Sequence, residues 1–402
     1  MSTSEIHLAN WNTVLFRDLL IEPVRNGVYK KKEFHGRGVK IVNMGELFKY
    51  PRLADIEMKR VDLTESEKTK NLLKQGDLIF ARRSLTAEGA GKCSIVKEIN
   101  EDTTFESSII RARPDPELAS PNFLYYYFGS PYGKHLLRTI LRQVAVAGIT
   151  GTDLMELALK VPGANEQEDI AAILTGFDDK IDLLQRQNKT LETMTETLFR
   201  QWFTEEVRDT WEERPLSSIA RFLNGLACQK YPPADDVNRL PVLKIRELNS
   251  GISKASDWAT SQVNPDYVVE AGDVIFAWSA SLMVKVWAGE SCILNQHLFK
   301  VTSEEFPKWF YLMWCKYHLA EFIAISSSHA TTMGHIKRSD LDAAMVLAPP
   351  PEEREVMSKQ MQPLLDKQTA ISKQIKSLEK LRDTLLPKLM SGEVRVSTDG
   401  KA

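Results

Sequence analysis

Two copies of one heptad pattern constrain this chain more than any other feature. In residues 166–203, apolar side chains recur every seven residues, and a second, partly apolar series follows four residues after each of them. This spacing places an apolar stripe along a helix, as in helices that pack on other helices. Residues 353–390 repeat the pattern without a gap, at an offset of 187 residues. A lone amphipathic helix packed on its own domain would resemble the first copy, but the second copy favours a pair of helices.

We expect the two helices to pack on each other through these apolar stripes. Asn188 lies on the first stripe, where a polar residue fixes the register of paired helices at some cost in stability. Gly176 in the first copy aligns with Pro363 in the second, and both residues disfavour helix interiors. The sequence therefore predicts a kink in each helix, followed by long parts over 177–203 and 364–390 that are each about 40 Å long. The predicted pairing residues are Phe177, Ile181, Leu184, Asn188, Leu191, Leu198, Leu364, Ile371, Ile375, Leu378 and Leu385.

A globular segment precedes each helical copy, and the two segments share an order of elements. A Gly-Asp turn leads into a buried strand at 76–80 and again at 272–276. An aromatic helix follows in each segment, at 123–128 and at 309–312. The helices match better than the globular segments, which indicates two related modules with different targets. The predicted boundaries are 1–163 and 206–350 for the globular domains, 164–205 and 351–395 for the helices, and 396–402 for a tail.

The composition is that of an ordinary soluble protein. The hydrophobic fraction is 43%, the charged fraction is 26% and the net charge is −2. No apolar run reaches the length of a membrane span, and the first residues lack the basic and apolar regions of a signal peptide. We therefore expect a cytoplasmic protein. The four cysteines are scattered without metal-ligand spacing, so we expect reduced thiols and no metal site.

No catalytic motif is complete in the sequence. Residues 89–94 are similar to a phosphate-binding loop, but Thr86 and Cys93 occupy positions where that loop requires Gly and Ser or Thr. Neither a Gly-x-Gly-x-x-Gly motif nor the Asn/Asp-Pro-Pro-aromatic motif of an adenine methyltransferase occurs. The histidines of the second half lack the spacing of metal ligands on a helix. The sequence therefore favours a binding protein over an enzyme.

Together these features resemble the specificity subunits of type I restriction–modification systems. The resemblance covers nearly the whole chain and includes the Gly-Asp-x-Ile-Phe strand of each half. It also includes the loop at 331–336, the helix end at 198–203 and the tail at 389–395. In the first half, Gly-Ile-Thr-Gly at 148–151 replaces that loop. The fold that the resemblance implies is mixed α/β, with two target-recognition domains joined by two long antiparallel helices and a pseudo-twofold internal repeat.

The resemblance also implies a function without a catalytic site on this chain. Each recognition domain would bind one half of a bipartite site on double-stranded DNA. The paired helices would set the gap between the halves and dock two methyltransferase subunits, and restriction subunits would translocate and cut the DNA. S-adenosylmethionine is expected in the methyltransferase partner, and no cofactor is expected on this chain. A helix of about 40 Å is close to one turn of B-DNA, roughly 34 Å, which agrees with a spacer role.

Polar and basic side chains at strand ends are the predicted DNA contacts. Arginine can bind guanine bidentately and glutamine can bind adenine, whereas serine and threonine most often contact phosphate. A solvated charged loop would look similar, and Trp278 is open to a core interpretation. The predicted contacts are Arg82, Arg83, Ser84, Lys92, Arg142 and Gln143 in the first half, and Trp278, Ser279, Lys285, Ser328, Thr331, Thr332, His335 and Lys337 in the second. The alternative function is a coiled-coil scaffold with two protein-binding domains, which would show no salt-dependent DNA affinity.

Overall fold

The structure of the chain is a computed structural model that describes residues 11–143, 147–328 and 334–396. At Gln143 and Ser328 it describes the backbone but not the side chain. Within these ranges, no helix combines the length and the apolar character that a bilayer span requires.

The chain divides into two compact units. Unit 1 comprises residues 1–179 and 380–402, and unit 2 comprises residues 180–379. Each unit therefore contains a globular part and a segment of both long helices. The finer domain boundaries drawn from the sequence stay a prediction.

Short strands and helices alternate in the globular part of unit 1. Its described strands are β1 Asn12–Leu15, β2 Leu20–Asn26, β3 His35–Val42, β4 Arg52–Leu53, β5 Lys59–Val61, β6 Leu78–Ala81, β7 Arg83–Ser84, β8 Cys93–Val96, β9 Thr103–Phe105, β10 Ile109–Pro114, β11 Arg142–Gln143, β12 Ala147–Gly148 and β13 Ala158–Val161. Its helices are α1 Met44–Lys49, α2 Glu65–Asn71, α3 Pro121–Gly129, α4 Pro131–Thr139 and α5 Gly151–Met155, and the first long helix is α6 Ala164–Arg200.

Unit 2 has a similar sequence of elements. Its described strands are β14 Glu212–Pro215, β15 Arg221–Asn224, β16 Arg239–Leu243, β17 Trp258–Thr260, β18 Val268–Val269, β19 Val274–Ala277, β20 Met283–Val286, β21 Cys292–Leu294, β22 Leu298–Thr302 and β23 Met345–Ala348. Its helices are α7 Leu216–Ile219, α8 Ile245–Ser250, α9 Lys308–Tyr317, α10 Leu319–Ser328 and α11 Arg338–Ala343, and the second long helix is α12 Pro351–Ser391.

The main sheets of the two units share the order of four strands, and the sheet of unit 1 has a fifth strand, β4. The order is β2-β10-β6-β8-β4 in unit 1 and β15-β22-β19-β20 in unit 2. Neighbouring strands are antiparallel, except that β4 runs parallel to β8. In a smaller sheet, β3 lies between antiparallel β5 and parallel β9, and β16 lies likewise between β17 and β21. The predicted fold class, a mixed α/β chain with an internal repeat and long helices, is confirmed.

The Gly-Asp turn before the central strand has one physical explanation in both units. The glycine has a φ of +86° in unit 1 and +112° in unit 2, a region that L side chains rarely adopt. The aspartate that follows accepts a backbone N–H within the turn and pairs with a cation on the neighbouring strand. Asp77 pairs with Arg113 at 2.7 Å, and Asp273 pairs with Lys300 at 2.8 Å. The motif therefore shapes and anchors the entry to the central strand.

The two long helices are continuous. Helix α6 runs over 37 residues and α12 over 41 residues, so the predicted kinks at Gly176 and Pro363 are wrong. An interior glycine costs only about 1 kcal/mol and an interior proline about 3 kcal/mol, and packing of the helices offsets these costs. At 1.5 Å per residue, α6 is about 56 Å long and α12 about 62 Å, well above the predicted length of about 40 Å. A π-helical turn, Gln201–Glu205, follows α6.

An apolar layer and a polar layer follow each other along the helix pair of unit 2. In the polar layer, Asn188 Nδ2 donates to Ser372 Oγ at 2.9 Å. The Oδ1 atom of Asn188 is buried and has no hydrogen-bond partner in the described part of the chain. Farther along α6, Phe199 shares a buried cluster with Met357 of α12, so the helices are antiparallel in this unit. The apolar layer consists of Ile181, Leu184, Ile371 and Ile375, with Leu191 and Leu378 packed against it.

The buried stripe departs from the predicted heptad series at three positions. A straight α-helix repeats every 3.6 residues and drifts by about 20° per heptad, so the inward-facing position moves by one residue along a long helix. Leu385, another predicted pairing residue, is half-buried and packs against the core of unit 1. At each of the three positions the predicted residue is half-buried and the next residue along the chain is buried. The predicted residues are Phe177, Leu198 and Leu364, and the buried ones are Asp178, Phe199 and Leu365.

A buried carboxylate joins the globular part of unit 1 to both long helices. Asp178 of α6 accepts the O–H of Tyr126 of α3 at 2.7 Å and pairs with Arg382 of α12 at 2.6 Å. Burial opposes the charge of Arg382, but the hydrogen bond and the charge of Asp178 raise the pKa of Arg382 above its ordinary value. Burial, followed by the charge of Asp178, raises the pKa of Tyr126, which keeps its hydroxyl a donor.

Aromatic packing makes the corresponding junction in unit 2. Phe199 at the end of α6 and Phe203 in the π-helical turn contact Trp314 of α9, with ring centroids 5.0 and 5.2 Å apart. Trp309 Nε1 of the same helix donates to Ser358 Oγ of α12 at 2.7 Å. Such aromatic pairs contribute about 0.5–1.5 kcal/mol each beyond the burial of their area. Helix α9 is therefore fixed to both long helices.

We expect Asn188→Leu to raise the free energy of unfolding by about 1 kcal/mol, because it removes a buried amide with an unpartnered oxygen and extends the apolar layer. Urea denaturation followed by circular dichroism measures the change. Leu184→Ala in the adjacent layer is the control, and it should lower the same free energy by about 2–5 kcal/mol. A less stable Asn188→Leu variant would show that the bond to Ser372 outweighs the desolvation of the amide.

Candidate nucleic-acid interface

The carboxyl end of β6 brings several distant segments of unit 1 together. The N–H of Arg82 donates to the carbonyl of Ser108 at 2.8 Å, and the carbonyl of Arg82 accepts the N–H of Ile149 at 3.0 Å. Strand β7 follows directly and pairs with β12, which pairs with β11. Neighbouring strands therefore carry the predicted contacts Arg83, Ser84, Arg142 and Gln143, and Arg82 lies between β6 and β7.

On another side of this site, the backbone at residues 27–28 lies close to the backbone at residues 105–107. The N–H of Ser107 donates to the carbonyl of Val28 at 3.0 Å. A Cβ atom on Gly27 would lie 2.1 Å from the carbonyl oxygen of Phe105, so a residue with a side chain cannot occupy this position without moving the backbone. We call the converging backbone of unit 1 its frame, and it comprises residues 26–28, 82–84, 106–108 and 148–149.

Unit 2 builds an equivalent frame from equivalent bonds. The N–H of Trp278 donates to the carbonyl of His297 at 3.4 Å, and the carbonyl of Trp278 accepts the N–H of Ile336 at 3.0 Å. A Cβ atom on Gly225 would lie 2.3 Å from the carbonyl oxygen of Asn295. The frame of unit 2 comprises residues 224–226, 278–280, 295–297 and 334–336.

The predicted arginines in and beside the first frame have different environments. Arg82 is half-buried, and its Nη1 donates to the carbonyl of Ser107 at 3.3 Å. Arg142 is exposed, but its guanidinium pairs with Asp153 at 2.7 Å. Arg83 is exposed and forms no ion pair within the ranges that the structure describes. Arg83 therefore presents its full charge to an external ligand.

The loop after β7 is braced from within and projects one apolar side chain. Ser84 Oγ accepts a backbone N–H of the loop at 3.2 Å. Lys92 Nζ donates to the carbonyl of Phe48 at 2.8 Å and lies 5.0 Å over its ring. Burial, followed by repulsion from a neighbouring lysine, lowers the pKa of Lys92. Lys92 is thus used to hold the loop, whereas Leu85 at the tip is 95% exposed.

In unit 2, Trp278 is both packed and accessible. Its ring stacks on Phe299 with centroids 5.6 Å apart, and its Nε1 donates to Asn224 Oδ1 at 3.0 Å. The side chain is half-buried, so one part covers the core and another lies at the surface. Asn224 belongs to the frame but was not predicted from the sequence. Aligning the two halves would have found it, because Asn26-Gly27 corresponds to Asn224-Gly225.

The serine next to Trp278 holds a histidine. Ser279 is buried, and its Oγ lies 3.1 Å from His297 Nδ1. The next residue, Ala280, has a φ of +56°, a conformation that non-glycine residues rarely adopt. Ser279 therefore orients His297 rather than facing a ligand itself. The sequence prediction missed His297 at the frame, although the repeat aligns it with Ser108.

The remaining predicted contacts of unit 2 have different locations. His335 forms a backbone bridge with Ser279 and is exposed, and Lys337 is exposed at the start of α11. Lys285 does not lie at the frame. Its Nζ donates to Asn249 Oδ1 at 3.1 Å, and the residue lines a cavity of about 610 Å³ beside α6 and α12. Burial, followed by repulsion from Lys376, lowers the pKa of Lys285.

Several predicted contacts lie outside the described parts of the chain. They are Thr331 and Thr332, together with the side chains of Gln143 and Ser328. In the parts that are described, no group of three His, Cys, Asp or Glu side chains is placed to hold a metal ion. The frames instead combine guanidinium, amide, imidazole and indole groups, a set suited to hydrogen bonding with the edges of bases.

Comparison with known proteins identifies the family. The sequence model described as "Type I restriction modification DNA specificity domain" matches residues 10–193 and again residues 208–380. The chain belongs to this family. Its two matches are the two halves of the internal repeat. The predicted resemblance to specificity subunits of type I restriction–modification systems is thereby confirmed.

Two relatives in the sequence comparison are specificity subunits, and one solved structure shares the fold of this chain. The specificity subunit of type I restriction enzyme MjaIX from Methanocaldococcus jannaschii is 25% identical over 370 residues, which cover 86% of this chain and 85% of that protein. The HindI specificity subunit from Haemophilus influenzae is 19% identical over 407 residues, covering 81% and 88%. The crystal structure of an S subunit from M. genitalium superposes with a TM-score of 0.61 at 14% identity, covering 97% of this chain and 98% of that one, and shows a shared fold.

We expect Gly27→Ala to lower the free energy of unfolding by about 1–3 kcal/mol, because the added methyl group would overlap a backbone carbonyl of the frame. Gly176→Ala in α6 is the matched control, since a Cβ atom there meets nothing within 4 Å. The control should gain up to about 1 kcal/mol from the higher helix propensity of alanine. Urea denaturation of both variants measures the difference, and equal stability of the two would contradict the close approach at Gly27.

Proposed function

We propose that this chain is the DNA-specificity subunit of a type I restriction–modification complex, in which each frame reads one half of a bipartite site. The observation that carries the proposal is the equivalence of the two frames. Their backbone bonds correspond one to one, but their side chains differ. A constant scaffold with different side chains is what two half-sites of unlike sequence require.

The side chains of the two frames fit different base edges. In unit 1, the exposed guanidinium of Arg83 can bind guanine O6 and N7 bidentately. In unit 2, Asn224, His297 and His335 offer amide and imidazole groups beside the indole of Trp278. The second half-site would therefore be read by amide and imidazole hydrogen bonds and by apolar contact, whereas the first would be read by a guanidinium.

The long helices would carry the other functions of such a subunit. We propose that they set the gap between the half-sites and dock two methyltransferase subunits. Apolar residues on their surfaces support docking, since Leu183 and Met194 of α6 and Val356 and Leu381 of α12 are 41–58% exposed. Chemistry would belong to the partners: the methyltransferase would hold S-adenosylmethionine, and the restriction subunit would cut DNA. This chain would have no catalytic site.

Reconstitution tests the proposal. The purified chain alone should neither methylate nor cut DNA, whereas the chain mixed with its cognate methyltransferase subunit and S-adenosylmethionine should methylate adenine at one split sequence. Sequencing of modified bases on a genomic DNA substrate reads out the site. Methylation of the same sites by the partner alone would overturn the proposal. An assembled complex whose DNA affinity does not depend on salt would favour the scaffold function instead.

Arg83→Ala should relax the first half-site and leave the second unchanged, because one bidentate contact to guanine is worth about 1–3 kcal/mol of discrimination. Arg83 is a better test residue than Arg82, because the Arg82 guanidinium already donates to a backbone carbonyl. Arg138→Ala, which removes an exposed charge at the end of α4, is the control. Base-resolved methylation patterns measure the change. Weaker DNA binding by Arg83→Ala with no change in either half-site would instead assign this residue to DNA phosphate.

A further inference from the structure

A basic segment follows directly after the first frame. Residues 29–38 read Tyr-Lys-Lys-Lys-Glu-Phe-His-Gly-Arg-Gly, with four cations and one carboxylate. Residues 31–38 are all exposed, and Tyr29 is 82% exposed. We call this segment the basic arm. A run of charges is often only a solvated surface, so its packing and position decide whether it has a partner.

Contacts with its own unit hold the arm in place. Lys30 pairs with Glu67 at 2.7 Å and lies 5.1 Å over the ring of Phe34. Arg37 pairs with Asp62 at 3.1 Å, and the N–H of Asp62 donates to the carbonyl of Phe34 at 2.8 Å. These pairs occupy the first and last cations of the arm. They fix the segment between them as a shaped surface.

The two central cations remain unneutralised. Lys31 and Lys32 are exposed and have no ion pair among the residues that the structure describes. Two adjacent ammonium groups on a braced segment attract anions, and the attraction is strongest for a ligand whose own charges are closely spaced. Duplex DNA carries one phosphate charge per about 1.7 Å of its axis.

The arm begins one residue after the frame. Val28 accepts the N–H of Ser107 at 3.0 Å, and the carbonyl of Ser107 accepts the guanidinium of Arg82 at 3.3 Å. Tyr29 is the next residue in the chain. A duplex read by the side chains of the frame would therefore have its backbone close to the arm.

Unit 2 has no net positive charge at the same place in the repeat, where Lys230 aligns with Lys32 and Gln229 with Lys31. Its segment 227–239 follows the second frame and contains two cations and two carboxylates. Arg239 pairs with Asp236 at 2.7 Å and lies 4.5 Å over the ring of Trp258. The basic arm is thus a property of one half of the repeat.

We propose that the basic arm binds DNA phosphates flanking the first half-site, through Lys31 and Lys32. This inference rests on the proposed function, which supplies the DNA, and adds an electrostatic asymmetry between the two halves. The first domain would hold DNA by counterion release as well as by base contacts. The second domain would make a smaller electrostatic contribution at the corresponding position, where it has one lysine instead of two and no net charge.

The salt dependence of DNA binding tests the arm. The full chain assembled with its methyltransferase subunit is titrated with a duplex containing the recognised site, from about 50 to 200 mM salt. The logarithm of the DNA association constant falls linearly with the logarithm of the salt concentration. Lys31→Gln combined with Lys32→Gln should make this slope less negative by about 1.8, at about 0.9 per phosphate contact. The methylated sequence should be unchanged, because phosphate contacts position the protein without reading bases.

A matched variant controls for total charge. Lys70→Gln combined with Lys74→Gln removes two exposed charges from unit 1 before the amino end of β6, whereas the frame lies at its carboxyl end. This control should keep the wild-type slope. An unfolding midpoint temperature equal to that of the wild type establishes that both variants are folded.

The outcomes separate the arm from the proposed function. An unchanged slope in the arm variant overturns the arm while leaving the specificity function intact. An unchanged slope with a weaker chain–methyltransferase complex, measured by size exclusion, also overturns it and assigns the arm to a protein partner. A wild-type complex without salt-dependent affinity would instead contradict the specificity function.

Discussion

Packing of one aromatic helix against the long helices is the constraint on which each globular part depends. In unit 1, α3 reaches both helices through Tyr126 and the buried pair of Asp178 and Arg382. In unit 2, α9 does so through stacked rings and the indole of Trp309. Removing one partner of a buried ion pair leaves an uncompensated charge, so the two junctions fail differently: one through electrostatics, the other through lost packing. Each frame is carried by a sheet whose orientation this junction sets within its own unit.

Much of the fold could be predicted because its determinants are local. The Gly-Asp turns, the buried strands after them and the heptad stripes are all set by residues within one or two turns of each other. The kinks predicted at Gly176 and Pro363 failed for the opposite reason. The helix propensities of glycine and proline are low, but the packing of the helix on either side of these residues favours a continuous helix. The shift of the buried stripe to Phe199 and Leu365 has a geometric cause, since a heptad is an approximation to a period of 3.6.

The candidate site was predicted less well, because its contacts join segments far apart in the sequence. Arg82 and Arg83 are neighbours with similar chemistry, yet a carbonyl from the turn before β10 occupies one of them and leaves the other exposed. Nothing near Lys285 in the sequence indicates that it faces the long helices of its unit rather than the frame. Asn224 and His297 were accessible in principle, through position-by-position alignment of the two halves. The side chains that differ between halves hide that alignment, although the backbone bonds preserve it.

Each globular part begins and ends on one pair of antiparallel strands. Strand β1 pairs with β13 over four residues, and β14 pairs with β23 in the same way, just before a long helix begins. The two ends of the part therefore lie about 4.8 Å apart. Any domain with ends so spaced could be exchanged as a cassette by recombination, with no change to the helices. Under the proposed function, such an exchange would change one half-site in a single genetic event and leave the other half-site as it was.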